Sequence, residues 1–449
     1  MNNTDLDQTS ALLTDLYQLT MLEAYYQADM HDTAVYEFFI RKLPPDRSFF
    51  VVAGLEQVLA YLEQLHFTEQ EIQWLRDSDR FSESFLTWLA DLRFKGDVEA
   101  IPEGTPCFPN EPLLRITAPL PVAQLIEPIV INLLHFQTLI ASKAVRFRLA
   151  AEDKVLVDFG LRRAHGRDAG LLAARASWLA GFDGTATVQA EPAFGIPLYG
   201  TMAHAYIEAY GDEIAAFEHF ARVHPRNAVL LIDTYDTRTA AERVATLAKR
   251  LQSDGISIKA VRIDSGDLDQ LSRDVRRILD AGNCQSIRIL ASGGLDEFKL
   301  AELVQAGAPI DGYGVGTQLD CSADHPYLDS AYKLQEYAGQ ARRKRSEGKA
   351  TWPGRQQVWR HLDNAGFYDH DTLALAAESY AGLPLLQTVM KQGQRVAAAE
   401  SLVTIRDRLT DQLTYLPDHL KALRGNGAYE VNVSPALREL ADKLDRTSH

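Results

Sequence analysis

The sequence contains little that could cross-link the chain or hold a structural metal. Its 449 residues include three cysteines, Cys107, Cys284 and Cys321. They are odd in number, lie far apart and form no Cys-x-x-Cys pair, so neither a disulfide framework nor a zinc site is indicated. Because free cysteine is commonly buried, we expect three buried free thiols.

Signals for membrane targeting are also missing. The first ten residues lack a basic segment followed by an apolar run, which argues against a signal peptide. No apolar stretch approaches the length that a membrane span requires. We therefore expect a cytoplasmic protein that does not bind membranes.

Positive charge is in deficit. The chain has 46 Lys and Arg against 61 Asp and Glu, so its net charge is 46 − 61 = −15. This balance argues against binding to nucleic acid or to anionic membranes. A small anionic substrate stays possible if arginines and backbone N–H groups line a local pocket. The apolar content of 46% is ordinary for a globular protein, and the length predicts at least two domains.

Residues 1–120 show the pattern of a small α/β domain. Apolar spacing predicts helices at 12–28, 54–66 and 81–92 and a strand at 35–40. A long apolar helix is predicted for residues 121–150, after Pro119 and Pro121.

A repeating pattern follows. Short apolar runs recur about every 30 residues, the length of one βα unit, at 155–159, 196–199, 228–232, 258–263, 287–290 and 312–315. Helical patterns lie between them, including 204–224, 240–251, 268–279 and 296–306. We expect an irregular parallel (β/α) barrel, either closed or incomplete, across residues 121–329. Later chain, about 330–400, would complete the first domain, and 401–449 would form a C-terminal helical segment with a polar tail.

Polar or glycine residues follow every predicted strand. In αβ barrels the carboxyl ends of the strands carry the chemistry, so these loops are expected to meet at one opening. Two of them suit a phosphate, namely Ser292-Gly293-Gly294 and the segment Gly314 to Thr317. Glycine lets backbone N–H groups approach phosphate oxygens, and phosphate sites of barrels commonly use the loops after the last two strands.

Arg262 is a charged residue inside an otherwise apolar strand. One interpretation is a structural ion pair with Asp264 or Asp233. The other is a cation at the opening that binds a carboxylate through paired hydrogen bonds. Asp264 and Asp267 could then hold ribose hydroxyls or the magnesium of a diphosphate.

His204 lies at a strand-to-helix junction after Gly200-Thr201. Most of the twelve histidines must be structural. The helix start favours a phosphoryl group on this ring, which makes His204 a candidate nucleophile.

Together these segments resemble the nicotinate phosphoribosyltransferase family. They agree with that family in order as well as in residues, over roughly residues 11 to 360: TDLYQLTM (14–21), FGLRRAHG (159–166), GTMAH (200–204), RIDSGDL (262–268), GVGT (314–317), YKL (332–334) and PGRQQV (353–358). The resemblance implies the type II phosphoribosyltransferase fold and homodimers with shared active sites.

The resemblance also implies roles for individual residues. Tyr17, contributed by the second subunit, and Phe159 would sandwich the pyridine ring, while Arg162, Thr201 and Arg262 would contact nicotinate. The Ser292-Gly293-Gly294 loop, Gly314, Gly316 and Thr317 would hold phosphoribosyl pyrophosphate. His204 would be phosphorylated by ATP, with Mg²⁺ on the diphosphate or ATP, and Asp264 and Asp267 would meet charge developing in the reaction.

Three alternatives remain at this stage. Quinolinate or nicotinamide phosphoribosyltransferases share the architecture and the donor. A Schiff-base aldolase would need a lysine at the carboxyl ends of the strands, whereas Lys154 and Lys259 lie at the amino ends. A non-catalytic metabolite sensor is the third. The basic run at 342–345 is expected to be a solvated hairpin or to lie near bound phosphates.

Overall fold

A computed structural model describes residues 10–425 and 427–447. The chain divides into two compact units, Met1–Leu139 with Tyr327–His449, and Ile140–Pro326. The sequence analysis predicted that the first ten residues are not a signal peptide. Residues 1–9 lie outside the described residues.

The strands, in chain order, are β1 Thr33–Ile40, β2 Phe50–Val51, β3 Asp97–Ala100, β4 Pro106–Cys107, β5 Pro112–Pro119, β6 Val155–Asp158, β7 Gly184–Thr185, β8 Ala228–Leu231, β9 Ile258–Ile263, β10 Arg288–Ala291, β11 Gly312–Val315, β12 Ser330–Tyr337, β13 Gln340–Ala341, β14 Gln356–Leu362, β15 Tyr368–Leu375, β16 Leu383–Pro384, β17 Gln387–Lys391, β18 Gln394–Arg395 and β19 Glu430–Val433.

The helices are α1 Leu16–Gln27, α2 Leu55–Gln64, α3 Glu69–Asp77, α4 Glu83–Ala90, α5 Leu120–Leu125, α6 Glu127–Ala151, α7 Arg167–Leu179, α8 Ala190–Phe194, α9 His204–Tyr210, α10 Glu213–Val223, α11 Thr237–Ser253, α12 Leu268–Ala281, α13 Glu297–Gln305, α14 Thr317–Asp320, α15 Leu402–Tyr415, α16 Asp418–Lys421 and α17 Pro435–Thr447. A short 3-10 helix, Leu161–Arg163, follows β6.

The first unit is built around a seven-stranded sheet of order β13-β12-β1-β5-β3-β17-β18. Strand β1 is buried along nearly its whole length because it pairs antiparallel with β12 on one side and with β5 on the other. Strands from the N-terminal part and from later chain therefore lie side by side in one sheet.

The C-terminal part is not only helical. Strand β19 joins a four-stranded sheet of order β16-β14-β15-β19, pairing in parallel with β15, and helix α17 follows it. The expectation of a polar tail was wrong, because α17 is amphipathic and buries Leu437 and Ala441. The basic run 342–345 follows the β12–β13 hairpin, and Lys344 and Arg345 are exposed, as expected for a solvated segment. Arg343 and Arg345 also form ion pairs with Asp445, at 2.8 and 3.3 Å.

The second unit contains a six-stranded sheet of order β7-β6-β11-β10-β9-β8, in which every pairing is parallel. Within the described chain β7 and β8 remain its two edges, so the parallel barrel is incomplete. The strand predicted at 196–199 does not form. Only Leu198 pairs there, through an isolated parallel bridge to Thr185 of β7. Gly195 is left-handed (φ 72°) and Pro197 has no N–H to donate, so that run cannot extend a ladder.

Two predicted long helices are broken by identifiable residues. Residues 121–150 form α5 and α6, because the ring of Pro128 is incompatible with a continuous helix through the preceding turn. Residues 204–224 form α9 and α10, because Gly211 is left-handed (φ 68°) and Asp212 caps the next helix, accepting from Ile214 N at 3.0 Å.

The sequence analysis expected no apolar stretch near the length of a membrane span, and helix α6 corrects this. By length and composition it is the one helix in the described chain that could cross a membrane, and 61% of its most apolar window is buried. Burial of this kind is ordinary for a core helix. Cys107 and Cys284 are buried free thiols as predicted, whereas Cys321 is partly exposed and donates to the Arg163 carbonyl at 3.0 Å.

Candidate active site

The carboxyl ends of the parallel strands carry most of the residues predicted to act. Phe159 follows β6, Asp233 follows β8, Asp264 follows β9 and Ser292 follows β10, while Gly316 follows β11. Since all these strands run in one direction, their ends lie along a single edge of the sheet. Several of these loops contact one another directly.

Arg262 is held in place by two hydrogen bonds. Its Nη1 donates to Thr201 Oγ1 at 2.8 Å and its Nη2 donates to the Met202 carbonyl at 3.2 Å. Nε is buried and has no hydrogen-bond partner among the described residues. Burial lowers the pKa of Arg262, although Asp264 and Asp233 act in the opposite direction. A buried donor without a partner is costly, so this edge of the guanidinium is suited to an anionic ligand.

The alternative of a structural ion pair does not describe Arg262. Neither Asp264 nor Asp233 comes within ion-pair distance of it in the described chain. Asp233 instead accepts hydrogen bonds from the Asp264 N–H at 2.9 Å and from Ser265 Oγ at 2.6 Å.

Phe159 supplies an aromatic face beside this cation. Its ring centroid lies 5.9 Å from Arg262 Cζ, and its N–H donates to the Val315 carbonyl at 2.7 Å. Gly314 is required for this placement, because a Cβ there would lie 2.5 Å from the Phe159 ring. Arg162, exposed on the 3-10 helix, is near enough for its charge to lower the pKa of Arg262 further.

The Ser292-Gly293-Gly294 loop lies directly against the β9 loop. Ser292 Oγ donates to Asp264 Oδ1, and a Cβ on Gly293 would overlap the Asp264 carbonyl oxygen. Gly293 and Gly294 both have positive φ (95° and 61°), which glycine adopts without strain, and both are exposed. This is the close backbone approach that a phosphate needs.

Helix α13 begins three residues after this loop. Asp296 caps it, accepting from Lys299 N at 2.7 Å. The helix terminus is therefore already paired with a carboxylate, and the N–H groups of the loop itself are the ones left for an anion. Thr317 is exposed at the start of α14, immediately after Gly316.

His204 begins α9 and faces the end of β8. Its Nδ1 lies 3.1 Å from Thr234 Oγ1, and its Nε2 lies 3.9 Å from Asp233 Oδ1, which has no hydrogen-bond partner among the described residues. The ring is partly exposed. The sequence analysis placed Asp233 at a strand end and as a possible ion-pair partner of Arg262, and in the structure it links His204 to the β9 loop.

Two predicted residues stand apart from these contacts. Asp267 is exposed and caps α12, accepting from Gln270 N at 3.1 Å. Tyr17 lies on α1 of the other unit, about half exposed, and burial raises its pKa.

The sequence analysis missed a buried ionic cluster next to the Ser292-Gly293-Gly294 loop. Glu297, the first residue of α13, accepts from Lys143 Nζ at 2.6 Å and from Arg146 Nε at 2.8 Å, and Lys143 also pairs with Asp324 at 2.8 Å. Glu297 and Lys143 are almost fully buried. The signal available was the presence of Lys143 and Arg146 inside a strongly apolar helix.

The sequence matches descriptions of one protein family along most of its length. Residues 12–135 match the nicotinate phosphoribosyltransferase (NAPRTase) N-terminal domain, residues 155–349 the NAPRTase family and residues 380–441 the nicotinate phosphoribosyltransferase C-terminal domain.

Individual relatives and a solved structure agree. Nicotinate phosphoribosyltransferase pncB2 of Mycobacterium tuberculosis is 48% identical over 98% of this chain and 94% of its own length. The nicotinate phosphoribosyltransferase of Bacillus subtilis is 39% identical over 83% of this chain and 77% of its own. The crystal structure of human nicotinic acid phosphoribosyltransferase superimposes with a TM-score of 0.87 at 28% identity, covering 96% and 100% of the two chains. This chain belongs to the nicotinate phosphoribosyltransferase family.

Proposed function

We propose that the site joins nicotinate to phosphoribosyl pyrophosphate, giving nicotinate mononucleotide and pyrophosphate for NAD salvage. The observation that carries this proposal is Arg262, whose buried Nε has no partner and whose guanidinium lies beside the Phe159 ring. A planar ring bearing one carboxylate fits that pair. Quinolinate would bring a second carboxylate, and nicotinamide would bring none. Family membership supports nicotinate over both.

Binding and positioning account for the proposed catalysis. The pyridine nitrogen forms a bond to the ribose anomeric carbon while the bond from that carbon to the pyrophosphate oxygen breaks, and no proton has to move. A pyridine nitrogen is a poor nucleophile, so holding it in line contributes most. Phe159 and Tyr17 of the partner subunit would hold the ring in a homodimer, and Thr201 and Arg162 would act beside Arg262.

The phosphates of phosphoribosyl pyrophosphate would bind to a different part of the site from the pyridine ring. The exposed backbone of Gly293 and Gly294, together with Gly316 and Thr317, would hold the phosphate of the ribose. Asp264 and Asp267 offer carboxylate oxygens, the ligand type that Mg²⁺ prefers, and would hold ribose hydroxyls or the Mg²⁺ that accompanies the diphosphate.

ATP coupling through His204 forms part of the proposal. Transfer of the γ-phosphoryl group of ATP to a ring nitrogen of His204 would release ADP, and water would later remove the group as phosphate. The contact to Thr234 and the nearby Asp233 carboxylate support this role, because they orient the ring. A phosphoryl group there would change the charge beside the diphosphate and bias binding. Since phosphoribosyl pyrophosphate and ATP are phosphorylated metabolites, we propose that the enzyme acts in the cytoplasm.

The test is an assay of purified protein with nicotinate, phosphoribosyl pyrophosphate and Mg²⁺, with and without ATP. We expect nicotinate mononucleotide and pyrophosphate in equal amounts, with a higher rate when ATP is present. Parallel reactions with quinolinate and nicotinamide should give little product. Turnover of either in place of nicotinate would contradict the assignment.

Replacing His204 by alanine should abolish stimulation by ATP while leaving ATP-independent turnover. The ratio of the rates with and without ATP should fall to about one, because no phosphorylated form can bias binding. His224→Ala is the matched control, since His224 is exposed before the amino end of β8. Full stimulation in His204→Ala would exclude the proposed phosphohistidine.

A further inference from the structure

Two aspartates lie beneath the turn that carries Phe159. Asp158 ends β6 and Asp320 ends α14, and both are essentially inaccessible, at 0% and 1% exposure. Neither was singled out in the sequence, and neither reaches the proposed substrates.

The two carboxyl groups have unequal surroundings. Asp158 Oδ1 accepts from the Gly160 N–H at 2.7 Å, and its Oδ2 accepts from Thr185 Oγ1 at 2.6 Å. Neither oxygen of Asp320 receives a hydrogen from any described residue. The Asp320 carboxyl nevertheless lies against the backbone of Gly160, since a Cβ at Gly160 would overlap it. Only glycine permits this arrangement.

An ionised Asp320 would be a buried anion without a donor, which is among the costliest states a side chain can adopt. Burial raises the pKa of Asp320 well above its ordinary value, and the neighbouring charge of Asp158 raises it further. Burial also raises the pKa of Asp158, although Thr185 and Gly160 oppose that shift. A protonated Asp320 can donate to Asp158, so one proton satisfies both groups.

No cationic side chain on a neighbouring described element pairs with the two carboxyl groups, so none could neutralise them in place of the shared proton. The 3-10 helix carries Arg162 and Arg163, both exposed, and α7 carries Arg167, Asp168 and Arg175. Within the described residues none of them forms an ion pair with Asp158 or Asp320. The adjacent Cys321 thiol has a pKa raised by burial and by Asp320, so it adds no cation.

We propose that Asp158 and Asp320 share one proton and that this acid pair positions Phe159 and Thr317 for the reaction. The pair joins two turns of the site. Asp158 fixes the Gly160 N–H next to Phe159, and the N–H of Asp320 donates to the Gly316 carbonyl at 3.1 Å, next to Thr317. The inference rests on the proposed function, because Phe159 and Thr317 are assigned there to the ring and the phosphate.

The direction of the pH dependence follows. Because the Asp320 pKa is raised, the shared proton is retained through the ordinary aspartate range and is lost only as pH rises through the raised value. Two buried anions would then repel each other across Gly160 and loosen both turns. We expect the KM for nicotinate to rise on the alkaline side while kcat changes less.

Asp320→Asn and Asp320→Leu test the proposal. Asparagine can donate to Asp158 but cannot ionise, so it should keep the KM for nicotinate within about twofold at neutral pH and remove the alkaline rise. Leucine has no donor and should raise that KM about tenfold at all pH values. Asp269→Asn, at a partly exposed aspartate of α12 that pairs with Arg273, should retain the wild-type profile. An alkaline rise that persists in Asp320→Asn would overturn the inference.

A second measurement does not depend on activity or on Asp320→Leu folding. Carbon-13 NMR of protein labelled at the aspartate carboxyl carbon should show one carboxyl signal that stays protonated at neutral pH and is absent from Asp320→Asn. If that signal is found but no nicotinate mononucleotide forms, the acid pair stands and the proposed function fails. If all aspartates are ionised at neutral pH, the pair itself is excluded.

Discussion

Replacing Arg262 by lysine is expected to lower kcat/KM for nicotinate by about a hundredfold, because breaking a buried charged hydrogen-bond pair costs about 3 kcal/mol. Arginine can hold Thr201 and the Met202 carbonyl and still present Nε to a ligand. A lysine ammonium keeps the charge but cannot make these bonds together in one plane. The loss should appear chiefly as weaker binding of nicotinate, measured by steady-state kinetics at saturating phosphoribosyl pyrophosphate.

Arg288→Lys is the matched control for Arg262→Lys. Arg288 begins β10 in the same sheet, is exposed and lies at the amino edge, away from the site. Its replacement should leave kcat/KM unchanged. Equal effects of the two substitutions, or near-normal kinetics in Arg262→Lys, would mean that Arg262 does not bind the carboxylate.

Replacing Glu297 by alanine is expected to cost about 4 kcal/mol of the free energy of unfolding, because it leaves buried cations without their partner. Lys143 and Arg146 both donate to this carboxylate, and Lys143 is 1% exposed. Asp324 would remain as a partner for Lys143, but it is partly exposed. The melting temperature of the second unit should fall by about 10 °C, since each kcal/mol shifts a unit of this size by about 2–4 °C.

Glu302→Ala is the control for Glu297→Ala, since Glu302 is exposed on the same helix. The pH dependence has a definite sign. Burial alone would raise the pKa of Glu297, but Lys143 and Arg146 lower it overall. The stabilisation is therefore present above the ordinary glutamate pKa and is lost as pH falls through the lowered value. Calorimetry showing equal stability for the two variants would contradict a structural role for the cluster.

The sequence was sufficient to predict the repeating units and the residues at strand ends. The runs predicted at 258–263 and 312–315 are β9 and β11 with unchanged bounds, because strands covered on both faces are mostly apolar. The edge strand β7 was misplaced because two residues, Gly184 and Thr185, leave no apolar run to detect. Whether so short an edge strand forms depends on the strand it pairs with more than on its own residues.

Groups that act from beneath the site could not be predicted. Asp320 and Glu297 look like solvated acids in sequence, and only the fold buries them. Their significance depends on which donors lie nearby, and Lys143 is 154 positions from Glu297 along the chain. Arg262 was recognisable because it interrupts the apolar residues Ala260, Val261 and Ile263 of its strand.

The most direct test of the whole account is a crystal structure with nicotinate mononucleotide bound. We expect the pyridine ring against Phe159, its carboxylate on Arg262 Nε and Thr201, and the phosphate on the backbone of Gly293, Gly294 and Thr317. A mononucleotide bound elsewhere, or with its phosphate on Arg262 and its ring away from Phe159, would contradict the arrangement of the site.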